Sequence, residues 1–356
     1  MKRIGMLTSG GDCQSLNATM RAVVMGLYHN LGEVEIYGFL DGYKGLMYEN
    51  YKKMNLDDFA EIINDGGTIL GTSRQPFKLM NEPDENGLDK VKAMKKTYKK
   101  LKLDALVILG GNGTHKTANL LSTEGLNIVT LPKTIDNDIW GTDMTFGFQS
   151  AVDIATHSID CVRTTARSHH RVFVVEIMGH KVGWMTLYAG IAGGADVILL
   201  PEIPYDTDKV IEAIKKREEA GKSYSLIVIA EGAMTKEDAA LSKKKFKAKY
   251  EKTPFSSSGV LAKELLEKSG REVRVTNPGH AQRGGNPCAY DRVISTRLGS
   301  YAAKLVAQEK FGYMVSLRGS HIYPVPLEEV AGKLKYVPID ACEIIDAKNI
   351  GISFGD

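Results

Sequence analysis

Short apolar runs that end on glycine set the rhythm of the first half of the chain. Ile4 to Leu7 and Val34 to Phe39 are runs of strand length, and Asn17 to Tyr28 between them places apolar residues at helical spacing. The pattern predicts strand, helix, strand. Asp57 to Asn64 predicts a short helix and Asp89 to Leu101 an amphipathic, lysine-rich one. Ala105 to Leu109 and Ile128 to Leu131 predict two further strands, with a helix opening at Gly110 to Thr114. The second half repeats the style. Asp153 to Thr165 is helical, and Arg171 to Ile177 is the continuous apolar run of a strand covered on both faces. A helix follows from Gly183 to Ile191, a strand from Val197 to Leu200, a helix from Asp208 to Glu219 and a strand from Leu226 to Ala230. Lys236 to Lys252 predicts a solvated helix face. Ser256 to Gly259 predicts a loop before the helix Val260 to Lys268, Arg271 to Thr276 a charged strand, and Tyr290 to Gln308 a long helix. Strands alternating with helices through glycine turns predict an α/β protein with parallel sheets.

A length of 356 residues allows two domains. The net charge of +3 is too small to imply nucleic acid or a membrane surface as partner, although local positive charge suits an anionic substrate. Met1 to Thr8 reads as a strand and not a signal peptide, and no apolar run approaches a membrane span. Cys13, Cys161, Cys288 and Cys342 are scattered, without the spacing of a metal or redox motif. They fit a reducing cytoplasm, which is the expected location.

The chemistry concentrates at Pro132-Lys133-Thr134-Ile135-Asp136-Asn137-Asp138, directly after a buried strand. A strand end is where an open α/β sheet places its reactive groups. One aspartate there can act as general base and another can hold a divalent cation. A capped turn is the competing reading, because Asx residues favour turns for local reasons. Three glycine-rich turns follow predicted strands, at Gly10-Gly11, at Gly66 to Gly71 and at Gly110 to Gly113. Each alone closes a tight turn, but together they suit a polyphosphate. Neither a P-loop nor a dinucleotide fingerprint is present, which counts against a nicotinamide-dependent dehydrogenase. Arg74, Arg163, Arg171, Arg274 and Arg283 recur at strand ends and loops, where a guanidinium fork matches phosphate oxygens. A surface ion pair is the ordinary fate of any one of them. His169-His170 are adjacent and point apart, so they do not form a ligand pair.

Six blocks together resemble the phosphofructokinase family: Thr8 to Asp12, Gly110 to Thr114, Pro132 to Asp138, Met178-Gly179-His180, Gly190 to Gly194 and Gly279 to Gly285. Their order and spacing match over nearly the whole chain, least well around 236–252 and at the C-terminal end. The resemblance implies two Rossmann-like parallel-sheet domains in the phosphofructokinase fold. Residues 1–148 with 282–332 would bind the phosphoryl donor, and 149–281 with 333–356 would bind fructose 6-phosphate. It implies transfer of the terminal phosphoryl of ATP to the 1-hydroxyl, with Mg²⁺ as cofactor. Asp136 would be the base, Asp138 and Asn112 the metal ligands, Thr134 would contact the transferring group, and Arg74, also counted as catalytic, would bridge the phosphates of the donor. Gly11, Tyr43, Arg74, Lys78, Gly111, Gly113, Thr114 and Lys133 would bind the donor. Thr134, Asp136, Met178, Gly179, His180, Glu231, His280 and Arg283 would hold the sugar phosphate. Arg171 and Arg274 would reach its 6-phosphate from a neighbouring subunit, making a homo-oligomer the working form.

The sequence departs from the family's pattern at four places. Asn112 stands where most members carry an acidic metal ligand. Lys133 is typical of pyrophosphate users and of a mixed subgroup. Gly113 is the ATP-type residue, where pyrophosphate users carry aspartate. His180 replaces an arginine, as in the mixed subgroup. ATP is the expected donor, with a pyrophosphate-dependent enzyme as the alternative and a non-catalytic sugar-phosphate-binding subunit as the second. Of the family's effector cations, Arg21 and Lys222 match, but Met25, Leu56 and Ala220 do not, so weak effector control is expected.

Overall fold

The computed structural model describes residues 1–251 and 254–356. The described strands, in chain order, are β1 (Lys2–Ser9), β2 (Val34–Phe39), β3 (Tyr51–Met54), β4 (Ala105–Gly110), β5 (Ile128–Pro132), β6 (Val172–Ile177), β7 (Val197–Leu199), β8 (Ser225–Ala230), β9 (Val273–Thr276), β10 (Tyr313–Arg318) and β11 (His321–Pro326). The chain forms two compact units, Met1–Ser150 with Arg283–Lys335, and Ala151–Gln282 with Tyr336–Asp356.

In the first unit the strands form one sheet in the order β11-β10-β5-β4-β1-β2-β3. Its centre is parallel, but β3 runs antiparallel to β2 and β11 antiparallel to β10. The apolar strand β4 is buried at every position, as its sequence requires. The core gathers Leu7, Phe39, Leu106, Ile108, Ile128 and Met314. Helix Leu16–Leu31 packs closely on helix Ala289–Ala307. A Cβ on Gly299 would stand 2.6 Å from that of Ala22, and one on Gly26 2.7 Å from that of Ala303. The two glycines are what let these backbones approach.

In the second unit the order is β7-β8-β6-β9, all parallel. The β6 and β8 runs are buried throughout, packed with Val210, Ile214, Leu261 and Leu265 from helices Thr207–Glu219 and Ser257–Ser269.

Several local expectations are corrected. The Gly66 to Gly71 turn follows a helical segment, Asp57–Ala60 and the 3₁₀ turn Ile62–Asn64, and not a strand. The charged stretch is two short helices, Lys236–Ala239 and Lys243–Lys249, because Asp238 turns inward and accepts from Lys249 Nζ and Tyr250 at 2.6 Å each. Lys252, the end of that expected helix, lies outside the described residues. Ser256 is an N-cap and Ser257 already helical, so the serines begin the helix instead of preceding it. The strand β10, parallel to β5, and the antiparallel edge strands β3 and β11 were not anticipated.

Candidate active site

In the first unit the ends of β1, β4 and β5 place three loops. Gly10, at φ +90°, donates its N–H to Ser73 O at 3.1 Å, and Thr72 Oγ1 donates to Gly10 O at 2.7 Å. The first glycine turn is thereby stitched to the segment carrying Arg74 and Lys78, both exposed. At the end of β4, Gly111 caps helix Asn112–Thr123, whose first N–H groups lack intrahelical partners. Thr114 Oγ1 donates to Ser9 O at 3.3 Å, which ties this helix to β1. Tyr43 is buried and donates to Thr114 O at 2.9 Å, so it supports the helix start from behind. Gly113 is exposed, and a Cβ there would meet nothing within 4 Å. Lys133 is buried with its ammonium hydrogen-bonded to Gly11 O, and burial pushes its pKa down. Arg283 stands with its guanidinium 3.1 Å from the Cβ position of Gly11, so it belongs with these glycines in the first unit.

The loop after β5 is pinned at both ends and in the middle. Lys133 and Phe146 form an isolated parallel bridge, and Thr145 Oγ1 donates to Thr134 O at 2.8 Å. Asp136 donates its N–H to Thr134 Oγ1 at 3.1 Å. Asn137 is buried at φ +53°, a conformation that asparagine tolerates better than most residues. Its Oδ1 accepts from Thr145 N at 3.1 Å, and its Nδ2 donates to Asp143 O at 3.2 Å. The two carboxylates therefore flank one fixed left-handed residue. Burial, reinforced by the charge of Asp136, pushes the Asp138 carboxyl up to about 7. A divalent cation would relieve that cost. Asp138 with the Asn112 carbonyl would be a sparse donor set of the kind that suits Mg²⁺, an ion that keeps waters and phosphate oxygens around it. The Asn112 amide N–H₂ donates to Lys333 O, which leaves its carbonyl oxygen as the acceptor atom.

The second unit holds the other expected residues. After β6, the Glu231 carboxylate accepts from His180 N at 2.6 Å and Gly179 N at 3.3 Å, and Met178 N donates to Gln282 Oε1 at 3.3 Å. Parallel pairing of β6 with β9 brings Arg171 and Arg274 to one carboxylate, Glu272, at 3.8 and 2.6 Å. Glu176, buried on β6, accepts from Ser256, Ser257 and Ser258 and from Asn277 Nδ2 at 2.9 Å. Asn277 Oδ1 in turn accepts from Gly279 N at 2.7 Å and shapes the turn carrying the exposed His280.

Of the remaining candidates, Arg163 pairs with Asp160 and Arg21 donates to Ala60 O at 3.0 Å. Ala220 and Lys222 line a hollow of about 650 Å³ in the second unit, where Arg217 pairs with Asp196 at 2.7 Å. Lys335, Thr145, Glu176 and Asn277 escaped the sequence reading. Their partners lie far along the chain, and no local motif marks them.

Relatives carry the same architecture. The chain is 50% identical over 359 residues, covering 100% of itself and 98% of the relative, to a protein of Spirochaeta thermophila named ATP-dependent 6-phosphofructokinase. It is 45% identical, over 96% of itself and 98% of the relative, to a pyrophosphate–fructose 6-phosphate 1-phosphotransferase of Amycolatopsis methanolica. Among solved structures, a Pichia pastoris phosphofructokinase superposes with a TM-score of 0.79 at 32% identity, covering 92% of this chain and 35% of the longer yeast chain. Since the family model described as Phosphofructokinase matches residues 3–306 as well, this chain belongs to the phosphofructokinase family.

Proposed function

We propose that the protein is a 6-phosphofructokinase that transfers the terminal phosphoryl of ATP to the 1-hydroxyl of D-fructose 6-phosphate, giving fructose 1,6-bisphosphate. The observation that carries the choice of ATP is Gly113. It is exposed, it has no positive φ, and a side chain there would strike nothing in the protein. Packing therefore does not require glycine, and the space is left for a donor larger than pyrophosphate. The names of the most similar relatives quoted above divide between the two donors, with ATP at the higher identity. Lys133 is compatible with ATP because its ammonium is held on Gly11 O.

In this reading Asp136 takes the proton of the attacking hydroxyl, and the Thr134 hydroxyl contacts the transferring phosphoryl. Glycine turns at Gly11, Gly111 and Gly113, with Arg74 and Lys78, receive the donor phosphates. Asp138 and Asn112 hold Mg²⁺, which when bound offsets the charge of the donor phosphates. The second unit supplies Met178, Gly179, His180, Glu231 and His280 for the sugar phosphate. Arg171 and Arg274 take the 6-phosphate of a neighbouring subunit's substrate in a homo-oligomer. Phosphoryl transfer between polyanions is chiefly a matter of position and positive charge, which is what these residues provide. The test is one preparation assayed with fructose 6-phosphate, Mg²⁺ and either ATP or pyrophosphate. The ATP rate is expected to dominate, and a pyrophosphate rate well above it overturns the choice of donor.

A further inference from the structure

The last three residues of the first unit, Lys333 to Lys335, fasten the catalytic loop from a distance of 198 residues along the chain. The Lys335 ammonium donates to Asn137 Oδ1 at 2.9 Å, to Thr142 O at 2.9 Å and to Asp143 O at 2.8 Å. An ammonium has three N–H bonds in a tripod, and these three acceptors match it. The Lys335 N–H donates to Asp138 O at 2.9 Å, and Leu334 bridges Ile139 in antiparallel fashion. The carbonyl of Lys333 holds the amide of Asn112. Immediately afterwards, at Tyr336, the chain enters the second unit.

The loop needs such a fastening. Asn137 is left-handed between two carboxylates, in a region that residues other than glycine adopt only when local contacts hold them there. If Asn137 relaxed, the directions of both Asp136 and Asp138 would change with it. The other bonds to its side chain come from inside the same loop, from Thr145 and to Asp143. Lys335 reaches the Asn137 side chain from elsewhere, and it also binds the carbonyls of the loop's return, where Leu317 and Gly319 bond to Thr142 and Asp143 as well.

We propose that Lys335 is a positioning residue for phosphoryl transfer, acting through Asn137 and the Thr142 and Asp143 carbonyls to hold Asp136 and Asp138 in working geometry. The proposal rests on the phosphofructokinase reading above. It makes Lys335 neither a base nor a substrate ligand.

The experiment compares the full-length parent with Lys335→Met, Lys335→Gln, Asn137→Ser and the Met/Ser double variant. Readouts are kcat, the fructose 6-phosphate dissociation constant and stoichiometry without donor, and hydrogen exchange. A misplaced catalytic group costs about 100-fold, and Lys335→Met is expected to lower kcat by that order. Fructose 6-phosphate binding should move less than about threefold at unchanged stoichiometry, since most of the residues expected to hold the sugar phosphate lie outside this loop. Exchange should quicken over residues 136–145 and not elsewhere in the first unit. Lys335→Gln, which keeps donors, should lose less. The double variant should lose little more than the worse single one, because the two residues act as one unit. A parental kcat in Lys335→Met overturns the proposal, and so does a fall in kcat matched by an equal loss of binding sites. If Lys335→Met does not fold, Lys335→Gln decides: a tenfold or greater loss with binding intact supports the proposal, and a parental kcat overturns it. If the parent itself transfers phosphoryl from neither donor, the functional reading has failed. The exchange measurement still judges the fastening, and unaltered exchange at 136–145 refutes it.

Discussion

The loop between Lys133 and Phe146 in the first unit and the arginine pair of the second are built on opposite principles. Between Lys133 and Phe146, hydrogen bonds from side chains to backbone lock nearly every turn, and Lys133, Asn137 and Thr145 are buried. Arg171, just before β6, and Arg274, on the edge strand β9, have 35% and 47% of their side-chain surface exposed and share the still more exposed Glu272. A base must be held to within a fraction of an ångström, and rigid support provides that. Cations that capture a phosphate need only be near, unobstructed and lightly paired. An exposed pair such as Arg274 with Glu272 contributes little to folding, and that leaves the arginine available to a ligand.

Removal of the base should break the comparison most forcefully. Asp136→Asn preserves the shape and the Thr134 contact, which uses the backbone N–H. Turnover should fall by roughly 10³-fold with fructose 6-phosphate affinity retained, measured by steady-state kinetics and calorimetric titration. Unchanged turnover would remove Asp136 from the chemistry.

Arg274→Ala probes the other region and should give the reverse pattern. Loss of a charge-assisted contact to phosphate is expected to raise the fructose 6-phosphate KM by about 30-fold. Thermal stability should hardly change, since the exposed pair with Glu272 supports little. If Arg274 serves the neighbouring subunit, mixing Asp136→Asn with Arg274→Ala chains should restore, at fructose 6-phosphate well below the raised KM, a rate that neither shows alone. Failure of hybrids to regain any activity would place Arg274 in its own chain's site.

The two regions also differed in how far the sequence disclosed them. The strand ends, the glycine turns and the paired aspartates are local patterns, and β4, β5 and β6 lie within a residue of their apolar runs. Arg171 and Arg274 were visible as cations recurring at strand ends and loops, although their convergence on Glu272 needed the β6–β9 register. The supports were not visible. Lys335 lies in a stretch without periodicity, and it acquires meaning only when the chain returns to Asn137. Tyr43 is expected on the donor side, and its buried hydroxyl, which donates to Thr114 O, is a contact that no local motif announces. The antiparallel edges β3 and β11 were missed because half-exposed strands such as Tyr51–Met54, with two lysines in four residues, lack an apolar signature.

The smallest effect sharpens the claim that the first unit's framework is locked by burial. His115 lies in the first turn of helix Asn112–Thr123, wholly enclosed. Its Nδ1 is 2.8 Å from Gly111 O, and because a carbonyl only accepts, Nδ1 carries the proton of a neutral ring. Nε2 is buried without a hydrogen-bond partner, so protonation there would create an unsolvated charge. Burial accordingly pushes the pKa down to about 4, opposed by the Gly111 contact and reinforced by Lys133. In the unfolded chain the ring titrates near its ordinary value of about 6.5. The unfolded state therefore binds the extra proton between those values, and the stability present above about 6.5 is lost as pH falls toward about 4. At pH of about 5.5 the loss attributable to this ring is on the order of 1 kcal/mol relative to neutral pH. His115→Asn keeps a donor for Gly111 O and cannot titrate. Urea unfolding of the two proteins at several pH values should show a shallower decline in the variant below pH of about 6.5. Identical slopes would mean that the native structure opens to hydrate this ring.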